Sequence, residues 1–397
     1  MSRKSSLVFA LLLSPALSTF ADQKVLKAVP VDPSDITPQA PANLPKPPPA
    51  APPPESPQAI RPVDSAEVKV PAWKPHSGSD SPILKGLPDT EDALRLQIFL
   101  DQSCFGPGII DGKPGRFTIL AAQAWNEVHG HEINDLQPVL EAARKAVPHP
   151  FASATVPDIA NKWVNVNLPT GPAQQTKAKM LSYRSMGEFM AERFHSDMDF
   201  IVQLNGAKVV NNLKVGDTLI VPDVRPFLIE DITGRRYDAQ EPMSHRHAVV
   251  DTKMNQVRIF ESAPKALIVQ EGPDEPATVR QNEGLIASFP ITPGQPQFIH
   301  YGEWELKASV ELPVWRYDKS LLETGKRSSE SVDVPPGPNN PVGIIWNGLS
   351  RPGIGMHGTP DPETIGRARS HGCIRLANWD AIRIPTLLRP GATVEIR

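Results

Sequence analysis

From about residue 89 the apolar positions follow a helical period, and from about residue 245 they gather into runs of strand length. Ala93, Leu94, Leu96, Ile98 and Phe99 partly keep the spacing of one helix face, with Asp89 or Thr90 placed to cap it. Phe105-Gly106-Pro107-Gly108 breaks that helix. After the turn Asp111-Gly112-Lys113-Pro114-Gly115, a second helix starts at Thr118 and runs through Ala121, Ala122 and Trp125. Met186, Phe189, Met190 and Phe194 mark one face of a third helix, and Phe200, Ile201 and Leu204 one face of a fourth. A turn and short strand come next, from Leu213 to Pro222. Beyond His245 the runs His247 to Asp251 and Gln256 to Glu261 flank a turn at Lys253 to Asn255, which is a hairpin signal. Further apolar runs fall at Ala266 to Val269, Leu285 to Phe289, Val342 to Trp346 and Thr393 to Ile396. The pattern predicts several domains: a small α-helical one, a small α+β one, and a mainly β sandwich or barrel-like domain at the end.

The stretch before residue 89 fits neither period. Arg3 and Lys4, the short apolar run Leu7 to Leu13 and the small residue Ala21 read as a secretory signal peptide over 1–21. The run is too short to remain as a span, and no membrane span is expected in the mature chain. Between Asp22 and Pro88 there are 17 prolines and one aromatic residue, Trp73, a composition too poor in apolar surface to offset ordering entropy. That segment is expected to be a disordered linker, either a tether or filler. The net charge of -3 is small and mixed, and no basic run alternates with aromatics, so nucleic acid is set aside as a partner. Cys104 and Cys373 are the only cysteines. They make at most one bridge, and the neighbours of Cys373 favour a thiol there.

Those neighbours are the densest chemical cluster in the chain: Gly355-Met356-His357-Gly358-Thr359, Gly366, and Ser370-His371-Gly372-Cys373-Ile374-Arg375-Leu376. A cysteine nucleophile needs a base to form the thiolate, and the base needs a third group to hold its ring. Either histidine can serve as that base on sequence alone. A different class of chemistry would use His357, His371 and Cys373 as zinc ligands, but no nearby carboxylate is placed as a base for it. The pairs His129/His131 and His245/His247 read as ordinary surface or core residues.

The cluster resembles the catalytic motif of the L,D-transpeptidases of the YkuD type, in which a histidine-glycine pair precedes a Ser/Thr-His-Gly-Cys run. Pro290 to Gly294 and Gly337-Pro338-Asn339-Asn340-Pro341-Val342-Gly343 also resemble segments of that family. The resemblance implies a catalytic domain over 245–397 with a YkuD-like β-sandwich. It implies Cys373 as nucleophile, His357 as general base and acid, the Gly358 carbonyl as the group orienting the imidazole, and His371 as a support of the loop or transition state. Ser370, Gly372 and Arg375 would bind substrate, with N–H groups around Gly372 and Cys373 forming an oxyanion hole and Arg375 pairing with a stem carboxylate. Arg367 and Arg369 lie nearby in sequence.

The reaction implied is peptidoglycan L,D-transpeptidation. A thioester forms with a stem tetrapeptide, D-alanine leaves, and an amine takes the acyl group. The alternatives are an L,D-carboxypeptidase, a zinc-dependent wall peptidase, or a non-catalytic peptidoglycan-binding protein. The partners implied are stem peptides and glycan strands, with a wall-attached lipoprotein as one acceptor it admits, and the location is periplasmic or secreted, at the cell wall. No cofactor and no metal is called for. Tyr301 to Pro338 reads as an insertion, a candidate lid. Residues 89–146 resemble the small helical peptidoglycan-binding module. Residues 178–224 resemble a LysM module through Leu204-Asn205-Gly206 and the closing Gly216-Asp217-Thr218-Leu219-Ile220-Val221-Pro222, with a departure at Tyr183-Arg184-Ser185-Met186. Both are expected to be wall anchors that take no part in the active site.

Overall fold

The computed structural model describes residues 60–68, 90–262, 267–269, 278–280, 284–318, 320, 328–329, 331–367 and 372–397. The expected signal peptide and most of the proline-rich segment lie outside them. Three helices come first: α1 (Thr90–Gln102), α2 (Arg116–Val128) and α3 (Gln137–Ala146). Within the stretch expected to be linker, Arg61–Val63 forms a strand, β1, which pairs antiparallel with β2 (Phe151–Thr155). Pro62 is tolerated there because an edge strand need not donate from every residue. Three short or medium helices come next, α4 (Ala160–Trp163), α5 (Pro172–Gln175) and α6 (Met186–Arg193), then α7 (Met198–Asn205), α8 (Ala207–Val210) and β3 (Thr218–Pro222). Ser185 and Asp197 cap α6 and α7, their side chains accepting from the Glu188 and Phe200 N–H groups. The strand that completes a sheet with β3 is β2, upstream of the expected start at 178.

The carboxy-terminal strands are β4 (Arg236–Tyr237), β5 (His247–Asp251), β6 (Gln256–Phe260), β7 (Leu267–Val269), β8 (Thr278–Arg280), β9 (Leu285–Pro290), β10 (Gly302–Glu311), β11 (Trp315–Tyr317), β12 (Val332–Val334), β13 (Ile345–Leu349), β14 (Gly355–His357), β15 (Ile374–Arg375) and β16 (Thr393–Ile396). Among the described residues, nine of them form one sheet in the order β15-β14-β13-β10-β16-β5-β6-β9, with β4 beside β10. The hairpin read from sequence is present: Asp251 pairs Gln256, and Asn255 takes the left-handed conformation (φ 55°) the turn needs.

The domain expected to be a β-sandwich or barrel-like is mainly β, built as one continuous sheet that curls and closes. β10 is shared by both halves. Its first residues pair with β16 and its last with β13, across an irregularity between Leu306 and Ala308. Just past β9, Thr292 exchanges both main-chain hydrogen bonds with Arg375 of β15, at 2.9 and 3.0 Å, which joins the two ends of the sheet. The insertion expected at Tyr301 therefore cannot begin there, because Gly302–Glu311 is a central strand. The departure from the sheet starts only after Glu311, where β11 and β12 pack Trp315, Tyr317 and Val334 against Leu168 and Leu181.

The strands bury both faces. Ala248 and Val250 point into the closed sheet with Val257, Ile259, Ala287 and Phe289, while Val249, Phe260 and Leu285 point out. That outer apolar face is covered by Leu96, Leu100, Ala121, Trp125, Val139 and Leu140 of α1, α2 and α3. This double burial explains why β5 is a continuous apolar run. The edge of β9 is also occupied: Ser288 accepts from the Gly106 N–H at 2.7 Å and donates to the Cys104 carbonyl at 3.0 Å. Below, Asp101 of α1 is fully buried and bound by Arg383 (2.7 Å) and His195 (3.1 Å), whose ring stacks on Trp379. Arg383 and His195 hold that carboxyl well below the usual range although burial alone would raise it. The apolar core runs without a break from Leu94, Phe151, Phe189 and Phe200 to Phe289, Met356, Ile374 and Trp379. All described residues fall in one compact unit, Pro54–Arg397.

Candidate active site

His357 ends β14 and is buried. Its strand runs between β13 and β15, and its backbone pairs with Trp346 on one side and Arg375 on the other. The ring is held twice. Nδ1 lies 2.7 Å from the Gly358 carbonyl, and the ring stacks on Trp346 with centroids 5.5 Å apart and planes at 15°. A carbonyl only accepts, so Nδ1 carries the proton and Nε2 keeps its lone pair. Burial pulls this histidine down to about 4, against the raising effect of the Gly358 carbonyl and together with the Arg375 charge. The imidazole is therefore neutral at physiological pH.

Cys373 sits just before β15, half-buried, with its Sγ 3.5 Å from the Gly353 carbonyl. β14 and β15 are parallel with His357 opposite Arg375, and the Arg375 charge acts on both His357 and Cys373, two residues before it. Desolvation pushes the thiol up to about 11, partly offset by a backbone hydrogen bond from Gly355 and by the Arg375 charge. Cys104 and Cys373 are both thiols, not joined to each other. The resting pair is thus thiol and neutral imidazole. Alkylation of Cys373 should therefore keep rising with pH from about 7 to about 10, since reaction follows the thiolate fraction. A plateau below about pH 8 would instead reveal a preformed thiolate.

The approach to Cys373 is built from glycines where no side chain fits. Gly372 (φ 126°) lies so close to Gly294 that a Cβ on Gly294 would stand 2.4 Å from the Gly372 Cα. Upstream, the loop after His357 is pinned at Gly366, whose N–H donates to Thr292 Oγ1 at 2.7 Å. Gly366 also rests on Phe117 of α2, with room for no Cβ. Arg375 is half-buried, and burial lowers its pKa while Asp361 and Cys373 act the other way. Ser370, His371 and Arg369 lie outside the described residues, so that His371, one member of the alternative zinc set His357, His371 and Cys373, is not described. Arg367 lines a cavity of about 440 Å³ with Glu188, Glu192, Asp197 and Glu363.

Sequence reading singled out His357, Gly358, Gly372, Cys373 and Arg375, and β14 and β15 bring them together. It missed Trp346, Thr292 and Asn378. The first stacks on the base, the second closes the sheet beside Arg375, and the third packs against Gly358. Pro290 to Gly294, which contains Thr292, and Gly337 to Gly343, whose Gly343 packs against Asn378 and Gly358, were the sequence signals that pointed toward this wall.

A thiol just before β15 and a carbonyl-anchored imidazole at the end of the neighbouring β14 make a candidate cysteine-nucleophile site. Comparison with known proteins gives its class: residues 269–396 match the model of the YkuD family, the L,D-transpeptidase catalytic domain. The putative L,D-transpeptidase YkuD of Bacillus licheniformis is 37% identical over 78 residues, 20% of this chain and 47% of that protein. The putative L,D-transpeptidase YkuD of Bacillus subtilis is 42% identical over 59 residues, 15% of this chain and 36% of its own length. This chain thus spans at most about half the length of these curated relatives. Among solved structures, L,D-transpeptidase 3 from Mycobacterium tuberculosis aligns over 47% of this chain and 76% of its own at 14% identity, TM-score 0.27. The segment 269–396 is thus similar to the YkuD-type L,D-transpeptidase catalytic domain, and this similarity supports an enzyme of that class.

Proposed function

We propose that the chain is a peptidoglycan L,D-transpeptidase acting at the cell wall outside the cytoplasm, with Cys373 as nucleophile and His357 as base. The observation that carries this reading is the Nδ1 contact of His357 to the Gly358 carbonyl, which leaves Nε2 as the basic nitrogen on the strand beside Cys373. As Sγ attacks the carbonyl preceding a terminal D-alanine, its proton passes to Nε2. The tetrahedral intermediate collapses, Nε2 returns the proton to the leaving amine, and D-alanine departs from a thioester. An amine from a second stem then attacks, loses its proton to Nε2, and the thiol is regenerated as the new amide forms. N–H groups of Gly372 and Cys373 would stabilise the oxyanion, and Arg375 with Ser370 would bind the stem. The wall lipoprotein remains an acceptor of the same chemistry, and the glycan would meet β2, α6, α7 and β3 if that segment binds as a LysM module does.

His357→Ala should lower D-alanine release by about a hundred- to ten-thousand-fold, the usual worth of general base catalysis. His371→Ala should cost less. The reverse ranking, measured on soluble tetrapeptide, would give the base role to His371.

A further inference from the structure

Helix α6 reaches the base through two buried side chains that take no part in the proposed chemistry. Glu192 on α6 is 7% exposed and accepts hydrogen bonds from the Tyr183 hydroxyl and from Asn378 Nδ2, the latter at 2.7 Å. Asn378, fully buried, opens the helical turn Asn378–Ala381. Its Nδ2 also faces the Pro338 carbonyl at 3.4 Å, and its Oδ1 accepts from the Ile344 N–H at 3.2 Å. That same Oδ1 is wedged between two glycine backbones. A Cβ on Gly358 would stand 2.0 Å from it, and one on Gly343 2.2 Å. Gly358 is the residue whose carbonyl holds His357 Nδ1.

The amide can present only one face to each neighbour. Glu192 and Pro338 take its N–H groups, which turns its oxygen toward Ile344 and the glycines. We propose that Glu192 is a positioning residue for the imidazole: by holding Asn378 it fixes the Gly343 and Gly358 backbones, and with them the carbonyl that aims His357. The inference rests on the reading of His357 as the base. It makes α6, in the segment expected to be a detachable anchor, a working part of the site. Burial pushes the Glu192 carboxyl up to about 8, so its neutral form dominates at pH 7 and glutamine is a close replacement.

The test compares Glu192→Ala, Glu192→Asp, Glu192→Gln, Asn378→Ala and the double alanine variant in residues 22–397. The readouts are kcat and KM for D-alanine release, the alkylation rate of Cys373 by iodoacetamide, and the thermal midpoint. Glu192→Ala and Glu192→Asp should each lower kcat at least about tenfold with KM within about twofold, and Glu192→Gln should restore it to within about threefold. In the Asn378→Ala background, Glu192→Ala should cost less than about twofold more, because both changes break one chain of contacts. Glu192→Asp keeps the carboxyl and shortens its reach, so it answers the question if Glu192→Ala does not fold. A lowered midpoint with unchanged kcat, or additive losses in the double variant, would overturn the proposal. If the parent chain releases no D-alanine, the transpeptidase reading fails by itself. Cys373 alkylation, which needs no wall substrate, then decides: slowing by Glu192→Ala and Glu192→Asp with recovery in Glu192→Gln supports positioning, and equal rates in all overturn it.

Discussion

A chain truncated to begin at Arg225 is expected to lose cooperative unfolding and to expose its sheet, whatever substrate it is offered. The truncation uncovers Val249, Phe260 and Leu285 by removing Leu96, Leu100 and Trp125. Each large apolar side chain returned to water costs about 1.5–3 kcal/mol. It also removes the fully buried Asp101 from the partly exposed guanidinium of Arg383, breaking the ion pair that ties α1 to the chain after Asn378. Together with the opened edge of β9 and the loss of Glu192 from Asn378, these terms are comparable with the roughly 5–15 kcal/mol that holds a domain folded. Urea or thermal unfolding checks it. A truncated chain with a sharp transition and full activity on soluble tetrapeptide would show that the upstream segments are anchors after all.

Cys373→Ala should abolish acyl transfer, by more than about a thousandfold, while the thermal midpoint moves by no more than a few degrees. The thiol is half-buried and meets the Gly353 carbonyl at 3.5 Å and the Gly355 backbone, and sulfur is a weak hydrogen-bonding atom. Alanine adds no bulk beside Gly372 and Gly294, where space is shortest. Measurable D-alanine release by the folded variant would remove the cysteine from the chemistry.

The helix faces of α1, α2, α6 and α7 and the hairpin β5–β6 were legible because each is a local period in the apolar residues. β10 was not. Gly302–Glu311 carries charged residues along most of its length, and its first residues are exposed, so its central place in the sheet depends on partners far away in sequence. β2 was missed for a similar reason, since Phe151–Thr155 finds its partner at Thr218–Pro222 only across α4 to α8. The site's motif was legible as residue types, whereas its supports were not. Trp346 and Asn378 bear on His357 and Gly358 only once β13, β14 and the turn at Asn378 are assembled. Likewise the apolar stripes of α1, α2 and α3 predict that something covers them, and cannot say that it is the outer face of the catalytic sheet.

Intact-protein mass spectrometry of residues 22–397 mixed with a stem tetrapeptide, together with peptide mapping, tests most directly the claim that acyl transfer passes through Cys373. The expected result is a covalent adduct equal to the tetrapeptide less D-alanine, located on the peptide containing Cys373, absent in Cys373→Ala and discharged on adding an amine acceptor. Release of D-alanine with no adduct at Cys373, or an adduct that persists in Cys373→Ala, would contradict it.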